Sequence, residues 1–358
     1  MFDVNIFSSI TDIDETVWQQ LNGDRPFSSP RWFGFLEKAF AGDRPIYMIL
    51  YQENVPVAGA VFWVKGDEPL PMSATPLRRL TTAALHRWPL LLSYDPLVGS
   101  QSNLMLPAEP TLHRAALESI TGLALAQLHH HKGSFILYSY LEEAQSRWPG
   151  WPADFVALDF DEPEMILPVA WSCFEEYVAW LRQSHKSAYK DYRRHTNRAA
   201  ESGIEVTVHE RVTTGVDEAT AVDEALTLVR ATEQQHGSMP HPNVRLVMEQ
   251  MQLVEGRWLA ARQDGRLVGS GLLLSDNGSW AMKFLGLDYE VRYAYFQLIY
   301  AAIREVIEAG GKQLSGGTGA YELKERLGFQ RQDNTYIGFM SRSRPLSWLG
   351  RRLSDQGV

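Results

Sequence analysis

Trp258–Leu274 reads WLAARQDGRLVGSGLLL: an apolar run, a polar turn at Gln263-Asp264-Gly265, and a second apolar run entered through Leu267-Val268-Gly269. Ile46–Val64 reads IYMILYQENVPVAGAVFWV, with a turn at Gln52-Glu53-Asn54 and re-entry through Val57-Ala58-Gly59. Two apolar runs around a short polar turn predict a β-hairpin in each case. Farther on, both halves carry a long helical pattern that stops at glycine and leads into a strand. These are His113–Lys132 before Gly133, and Tyr295–Ala309 before Gly310-Gly311. The repetition predicts two copies of a smaller fold.

Working outward, 358 residues suit two domains, each large enough to bury a core. The expected boundary is the turn-rich Trp148-Pro149-Gly150-Trp151-Pro152, giving domains at 1–152 and 153–343 and a basic tail at 344–358. Cys173 is the single cysteine, so no intramolecular disulfide can form, and a reducing cytoplasm is expected. No apolar run is long enough to span a bilayer. The net charge of −9 argues against general nucleic-acid binding, so an anionic partner needs a local patch. Arg182–Arg198, RQSHKSAYKDYRRHTNR, is such a patch. Lys186, Lys190, Arg194 and Arg198 recur every fourth residue and predict one cationic stripe on a helix, where a solvated face is the plain alternative.

In the first half, Ser29 is the expected N-cap and Pro30 the first residue of a helix to Phe40. Leu90–Val98 and Phe135–Tyr140 read as strands, and Gly66–Leu85 as loop. Phe155–Val169 reads as extended chain crossing to the second half. There, Trp171–Arg182, the basic segment, Val222–His236 and Asn243–Glu255 read as helices, with Ile204–His209 as a strand. Arg257–Gln263, Leu267–Ser275 and Trp280–Leu287 form a meander with a hairpin turn at Asp276-Asn277-Gly278. A strand at Gln313–Ser315, a helix at Ala320–Leu327 and a strand at Thr335–Ser341 are expected to complete the second copy. The expected class is α+β: two tandem domains with mixed central sheets flanked by helices.

That order is typical of the GNAT acyltransferase fold, and the residues resemble its Fem-type (FemAB/FemX-like) branch. Four segments carry the resemblance. Pro26–Phe40 is similar to the family's opening helix. SHKSAYKDYRRHTNRAAESGI (Ser184–Ile204) is similar to its basic helix. Leu226–Gly237 is similar to a helix ending in a basic residue and glycine. QLSGGTGAYELKERLGF (Gln313–Phe329) is similar to its C-terminal glycine turn and lysine motif. The resemblance implies transfer of an acyl or aminoacyl group from acyl-CoA or aminoacyl-tRNA to an amine, with no tightly bound cofactor. Its implied partners are an anionic small-molecule or precursor acceptor and tRNA as a donor, with no DNA and no membrane span. The alternative is a catalytically inactive module that binds a cell-wall-precursor or polysaccharide anion.

One departure stands out. Ordinary GNAT enzymes bind pyrophosphate on a glycine-rich loop after the central strand, whose N–H groups face the phosphates. Here Leu287–Tyr295 reads LDYEVRYAY, with no glycine and two acids. Weak or absent coenzyme A binding is therefore expected.

Transfer to an amine needs a neutral amine, a stabilised oxyanion and aligned substrates. By the family motif, Lys324 is the candidate for an anion or the oxyanion, pointing into a cleft. Gly316, Gly317, Thr318 and Gly319 form a possible anion nest before it, and Tyr321 follows. Tyr289, Arg292, Tyr293 and Tyr295 crowd the donor region, as stacking surfaces or as packing. His236 and His241 flank Gly237–Pro240, and His236 is the candidate general base. The basic stripe is a candidate substrate-binding face. Cys173 reads as a buried structural residue, and no residue spacing suggests a metal.

Overall fold

The computed structural model describes residues 2–66, 83, 85–99, 101–160, 162–213 and 218–341. The basic tail expected from residue 344, and most of the loop expected at 66–85, lie outside them.

In the first half the strands are β1 (Asp3–Phe7), β2 (Arg44–Gln52), β3 (Val55–Lys65), β4 (Leu90–Ser93), β5 (Leu104–Met105), β6 (Phe135–Leu141) and β7 (Val156–Phe160). The helices are α1 (Glu15–Asn22), α2 (Pro30–Ala39), α3 (His113–His130) and α4 (Glu143–Ser146). After β8 (Met165–Pro168) come α5 (Phe174–Ser184), α6 (Lys186–Glu201), β9 (Ile204–His209), α7 (Glu218–Gln235) and α8 (Val244–Gln250). The meander β10 (Arg257–Gln263), β11 (Arg266–Asp276), β12 (Ser279–Leu287) follows. Then come α9 (Ala294–Glu308), β13 (Gln313–Ser315), α10 (Tyr321–Arg326), β14 (Gln330–Arg331) and β15 (Thr335–Met340).

The two hairpins match in detail. Both turn residues lie in the left-handed region in each: Glu53 and Asn54 in the first, Asp264 and Gly265 in the second. Two successive positive φ values match the right-handed twist of the flanking strands, and Asn, Asp and Gly tolerate them best. Each hairpin also shifts register at the same place, after Leu50↔Ala58 in the first and after Ala261↔Gly269 in the second. A bulge retained in both copies marks duplication down to single residues. Asn277 and Gly278 make the third such turn, as expected.

The sheets share one plan. The first runs β1-β2-β3-β4-β6-β15-β7, and the second, read from the other end, runs β9-β10-β11-β12-β13-β8-β14. In both, the fourth and fifth strands are parallel, and all other neighbours on the path are antiparallel. The sixth place is crossed over. β15, from the far end of the chain, fills it in the first sheet, while β8, which follows the first copy, fills it in the second.

This corrects the expected assembly. Thr335–Ser341 does not complete the second copy. The compact units are 1–25 with 40–163 and 333–358, and 26–39 with 164–332, so the chain does not divide at 152/153. Unit 2 also takes α2. Asp276, fully buried at the end of β11, accepts N–H bonds from Ser28 (2.9 Å) and Ser29 (3.1 Å) and the hydroxyl of Ser29. Ser29 Oγ in turn accepts the Trp32 N–H at 3.1 Å, so the expected N-cap is present.

The core of unit 2 lies on β10–β12. Leu298, Ala302, Ile303 and Val306 of α9 recur at helical spacing and are fully buried with Leu259, Ala261, Val268 and Leu273. α7 packs on β11 and β12. Gly286 permits this approach: a Cβ there would sit 2.6 Å from the Val229 backbone nitrogen. In unit 1, α3 buries Ala116, Leu117, Ile120 and Ala124 in one cluster with Met48, Phe62, Ile136 and Tyr138.

Candidate functional site

β12 and β13 are paired only at Ser279↔Gln313, Trp280↔Leu314 and Ala281↔Ser315. β12 then continues to Leu287 without that neighbour. Parallel strands that part in this way open a notch between them, a natural seat for an extended ligand. Just beyond the parting point β12 is bulged. Its register to β11 shifts between Ser270 and Leu272, and Phe284 adopts φ 49°. A left-handed phenylalanine is strained, and such strain gathers at functional sites.

Three elements supply ionisable groups around the bulge. Lys324 is 5% exposed, and its Nζ donates to the carbonyls of Gly317 (3.0 Å) and Thr318 (3.1 Å). Burial pushes its ammonium down to about 8, with Lys283 adding to the depression and Glu164 opposing it. Glu164 also accepts the hydroxyl of Ser315. The His241 ring lies 5.2 Å from that of Phe284. Its segment is fixed by Glu233, which accepts the His241 N–H at 2.9 Å, and by Arg230, which donates to the His241 carbonyl at 2.9 Å.

Two of the four N–H groups of the expected glycine nest are already bonded. The Gly316 N–H donates to the Met165 carbonyl, and the Gly317 N–H to Ser315 Oγ, so neither is open to an anion. The turn presents carbonyls to a cation instead, and Lys324 is that cation. Lys324 itself is buried in the turn rather than directed into an open cleft. The Tyr321 hydroxyl is buried and lacks a hydrogen-bond partner.

At the C-terminal end of β12 the loop is closed upon itself. The Leu287 N–H donates to Thr232 Oγ1 (2.9 Å), the Glu290 N–H to Asp288 Oδ1 (3.0 Å) and the Val291 N–H to the Asp288 carbonyl (3.1 Å). Asp288 is also paired with Arg266 at 2.6 Å. A carboxylate thus takes an N–H that a phosphate-binding loop would offer to its ligand. Tyr293 caps α9 in the left-handed conformation, and Arg292 is exposed. Tyr289 and His236, singled out separately in the sequence, meet here at 2.9 Å. Beside them is a cavity of about 470 Å³, lined by Thr227, Leu228, Ala231, Gln234, Gln235 and the Leu287–Tyr289 stretch.

The basic helix divides differently from the expected stripe. Arg194 pairs with Asp191 at 2.7 Å, and Arg198 with Glu201 at 3.0 Å. Lys186 and Lys190 instead share a groove of about 560 Å³ with Arg182, Tyr189, Arg193 and Asn197. The reason is helical pitch: each four-residue step overshoots a turn by about 40°, so 186, 190, 194 and 198 wind around the helix. Positions 186, 190, 193 and 197 stay on one side. His195 faces inward, stacked on Phe296 at 3.7 Å, and burial holds it below the usual histidine range, with Arg194 contributing. Cys173 is half-buried at the start of α5 rather than fully buried.

Sequence reasoning missed Lys283, Glu164 and Ser315. They lie on or beside three different strands, and no local motif links them. Among the described residues, no His, Cys, Asp and Glu group is arranged to hold a metal, and no helix is long and apolar enough to cross a membrane.

Residues 186–325 match the family model described as an acetyltransferase (GNAT) domain. The fold is a tandem GNAT fold. FemX superposes with a TM-score of 0.60 at 10% identity, over 96% of this chain and 99% of that one. A tandem GNAT protein from the clavulanic acid biosynthesis pathway gives 0.56 at 14% identity, over 95% and 99%. L-PGS from Bacillus licheniformis gives 0.52 at 10%, over 95% of each chain. At these identities the likeness is one of fold. No curated protein matches. The tandem GNAT architecture and the Fem-like order of elements thus stand as the sequence implied, with the sixth strands crossed between the sheets.

Proposed function

We propose that the protein is an N-acyltransferase that works at the β12 opening of unit 2 and takes its acyl or aminoacyl group from aminoacyl-tRNA rather than acyl-CoA. The observation that carries the choice of donor is Asp288. Its carboxylate stands in the loop after β12 and already holds the Glu290 N–H. A diphosphate brought there would meet a negative charge inside a used-up turn. The GNAT match over 186–325 favours an enzyme over an inactive binding module.

In this reading the donor carbonyl lies in the notch where β12 and β13 part, near the bulge, and the Lys283 ammonium supplies positive charge to the developing oxyanion. The acceptor amine enters from the cavity beside Tyr289. Its nitrogen bonds to the acyl carbon, the ester C–O bond breaks, and the ribose oxygen leaves with a proton. The amine's own proton passes to the Tyr289–His236 pair, which returns it to the departing ribose oxygen. Lys324 is a positioning residue: it fixes the Gly317–Thr318 carbonyls and so shapes the wall of the opening. Cytoplasmic aminoacyl-tRNA would make the cytoplasm the place of action.

The test is a transfer assay with radiolabelled aminoacyl-tRNA, and separately acetyl-CoA, against a panel of primary amines. Product with aminoacyl-tRNA alone supports the reading. Product with acetyl-CoA alone replaces the donor, and no product with either across the panel overturns the enzyme.

A further inference from the structure

Most arginines with described contacts in unit 2 are matched to carboxylates, including Arg194, Arg198, Arg230, Arg257 and Arg304. The cations of the α5–α6 groove, like the isolated Arg292, are not. Arg182, Lys186, Lys190 and Arg193 line the groove, all exposed, and among the described residues none makes an ion pair. Asp191, the only acid within the Arg182–Arg198 stretch, is turned away from them and bonded to both Arg194 and Arg326. Four like charges held together without counter-charge repel one another, a cost offset when an anion fills the groove. The remaining lining is Tyr189, half-buried against the unit 2 core, and Asn197.

We propose that this groove binds single-stranded RNA, with the backbone phosphates on Arg182, Lys186, Lys190 and Arg193 and a base stacked on Tyr189. The groove is concave and contains one fixed aromatic ring among cations. That combination suits a flexible strand with unstacked bases better than the flat headgroup plane of a membrane. Asn197 offers donor and acceptor to a base edge. Because the chain carries a net charge of −9, binding is confined to this patch. The proposal rests on the aminoacyl-tRNA reading only for the source of the RNA.

The experiment is fluorescence anisotropy with an unacylated, fluorescein-labelled 12-nucleotide single-stranded RNA, titrated across salt. With about four phosphates neutralised, log K should fall against log salt with a slope near −3. The double variant Lys190→Glu/Arg193→Glu should bind at least about tenfold more weakly at low salt and with a shallower slope. Tyr189→Leu should weaken binding by about fivefold or more while keeping the slope, since stacking carries no charge. Thermal melting of each variant checks that the fold is intact. RNA binding that is absent at low salt, or unchanged in the double variant, overturns the groove. Binding to phosphatidylglycerol vesicles without RNA binding also overturns it, in favour of a membrane surface. RNA binding by a protein that transfers nothing from aminoacyl-tRNA leaves the groove standing and removes only the donor assignment.

Discussion

Tyr289 Oη lies 2.9 Å from His236 Nε2, joining the loop after β12 to the end of α7. Both side chains are exposed, and Tyr289 lines a cavity of about 470 Å³. A phenol and an imidazole in contact form a short proton relay. Tyr289→Phe should lower kcat by about 10- to 100-fold with little change in KM, and His236→Ala should do at least as much. Steady-state kinetics with the identified donor check this. A pure rise in KM would assign the pair to binding.

Asp276 is the anchor of α2. Removing its carboxylate strands the N–H groups of Ser28 and Ser29 and the Ser29 hydroxyl. Asp276→Ala should destabilise the protein by about 2–4 kcal/mol, and Asp276→Asn by less, because an amide oxygen can still accept the Ser28 and Ser29 N–H bonds. Urea denaturation measures both. A loss within about 0.5 kcal/mol for Asp276→Ala would mean that α2 is held by packing alone.

Much of the fold was legible because hairpins are encoded locally. Asn54, Asp264 and Gly265 are the residue types that tolerate positive φ, and the flanks of both turns carry the apolar runs. The crossed strands were not legible. Met165–Pro168 and Thr335–Met340 are short, and nothing in their side chains names the sheet they join; chain topology decides it. The site was half legible. Tyr289 and His236 were both visible as chemistry-bearing residues, but their contact depends on α7 packing over β12 through Gly286. Lys283, Glu164 and Ser315 come from separate strands and left no spacing to detect. The cationic face was displaced by one residue, because a four-residue stride drifts on a helix of 3.6 residues per turn.

Deleting residues 335–358 should expose this topology. β15 pairs with β6 and β7, so hydrogen exchange should speed up in Phe135–Leu141 and Val156–Phe160. Gln313–Ser315, which pairs with β8 and β12, should stay protected. Deprotection of β13 in place of β6 would contradict the exchange of sixth strands.

Lys324 makes stability depend on pH in a stated direction. Its folded value is about 8 against an ordinary 10.5, so the native ammonium is disfavoured relative to the unfolded one. Between about pH 8 and 10.5 the unfolded chain binds more protons, and stability contributed at this site rises with pH. The stability of the wild type relative to Lys324→Met should therefore increase from pH 7.5 to pH 10, as followed by chemical denaturation. A flat or falling difference would place the ammonium in a solvated setting.

The central proposal is that this protein does not take its acyl group from coenzyme A, on the ground that Asp288 holds the Glu290 N–H in the loop after β12. Isothermal titration of acetyl-CoA into the protein tests it most directly. No saturable heat is expected up to about 1 mM, the upper end of ordinary substrate affinities. Binding in the low micromolar range, lost on mutation of the Asp288–Tyr293 loop, would contradict the account at its centre.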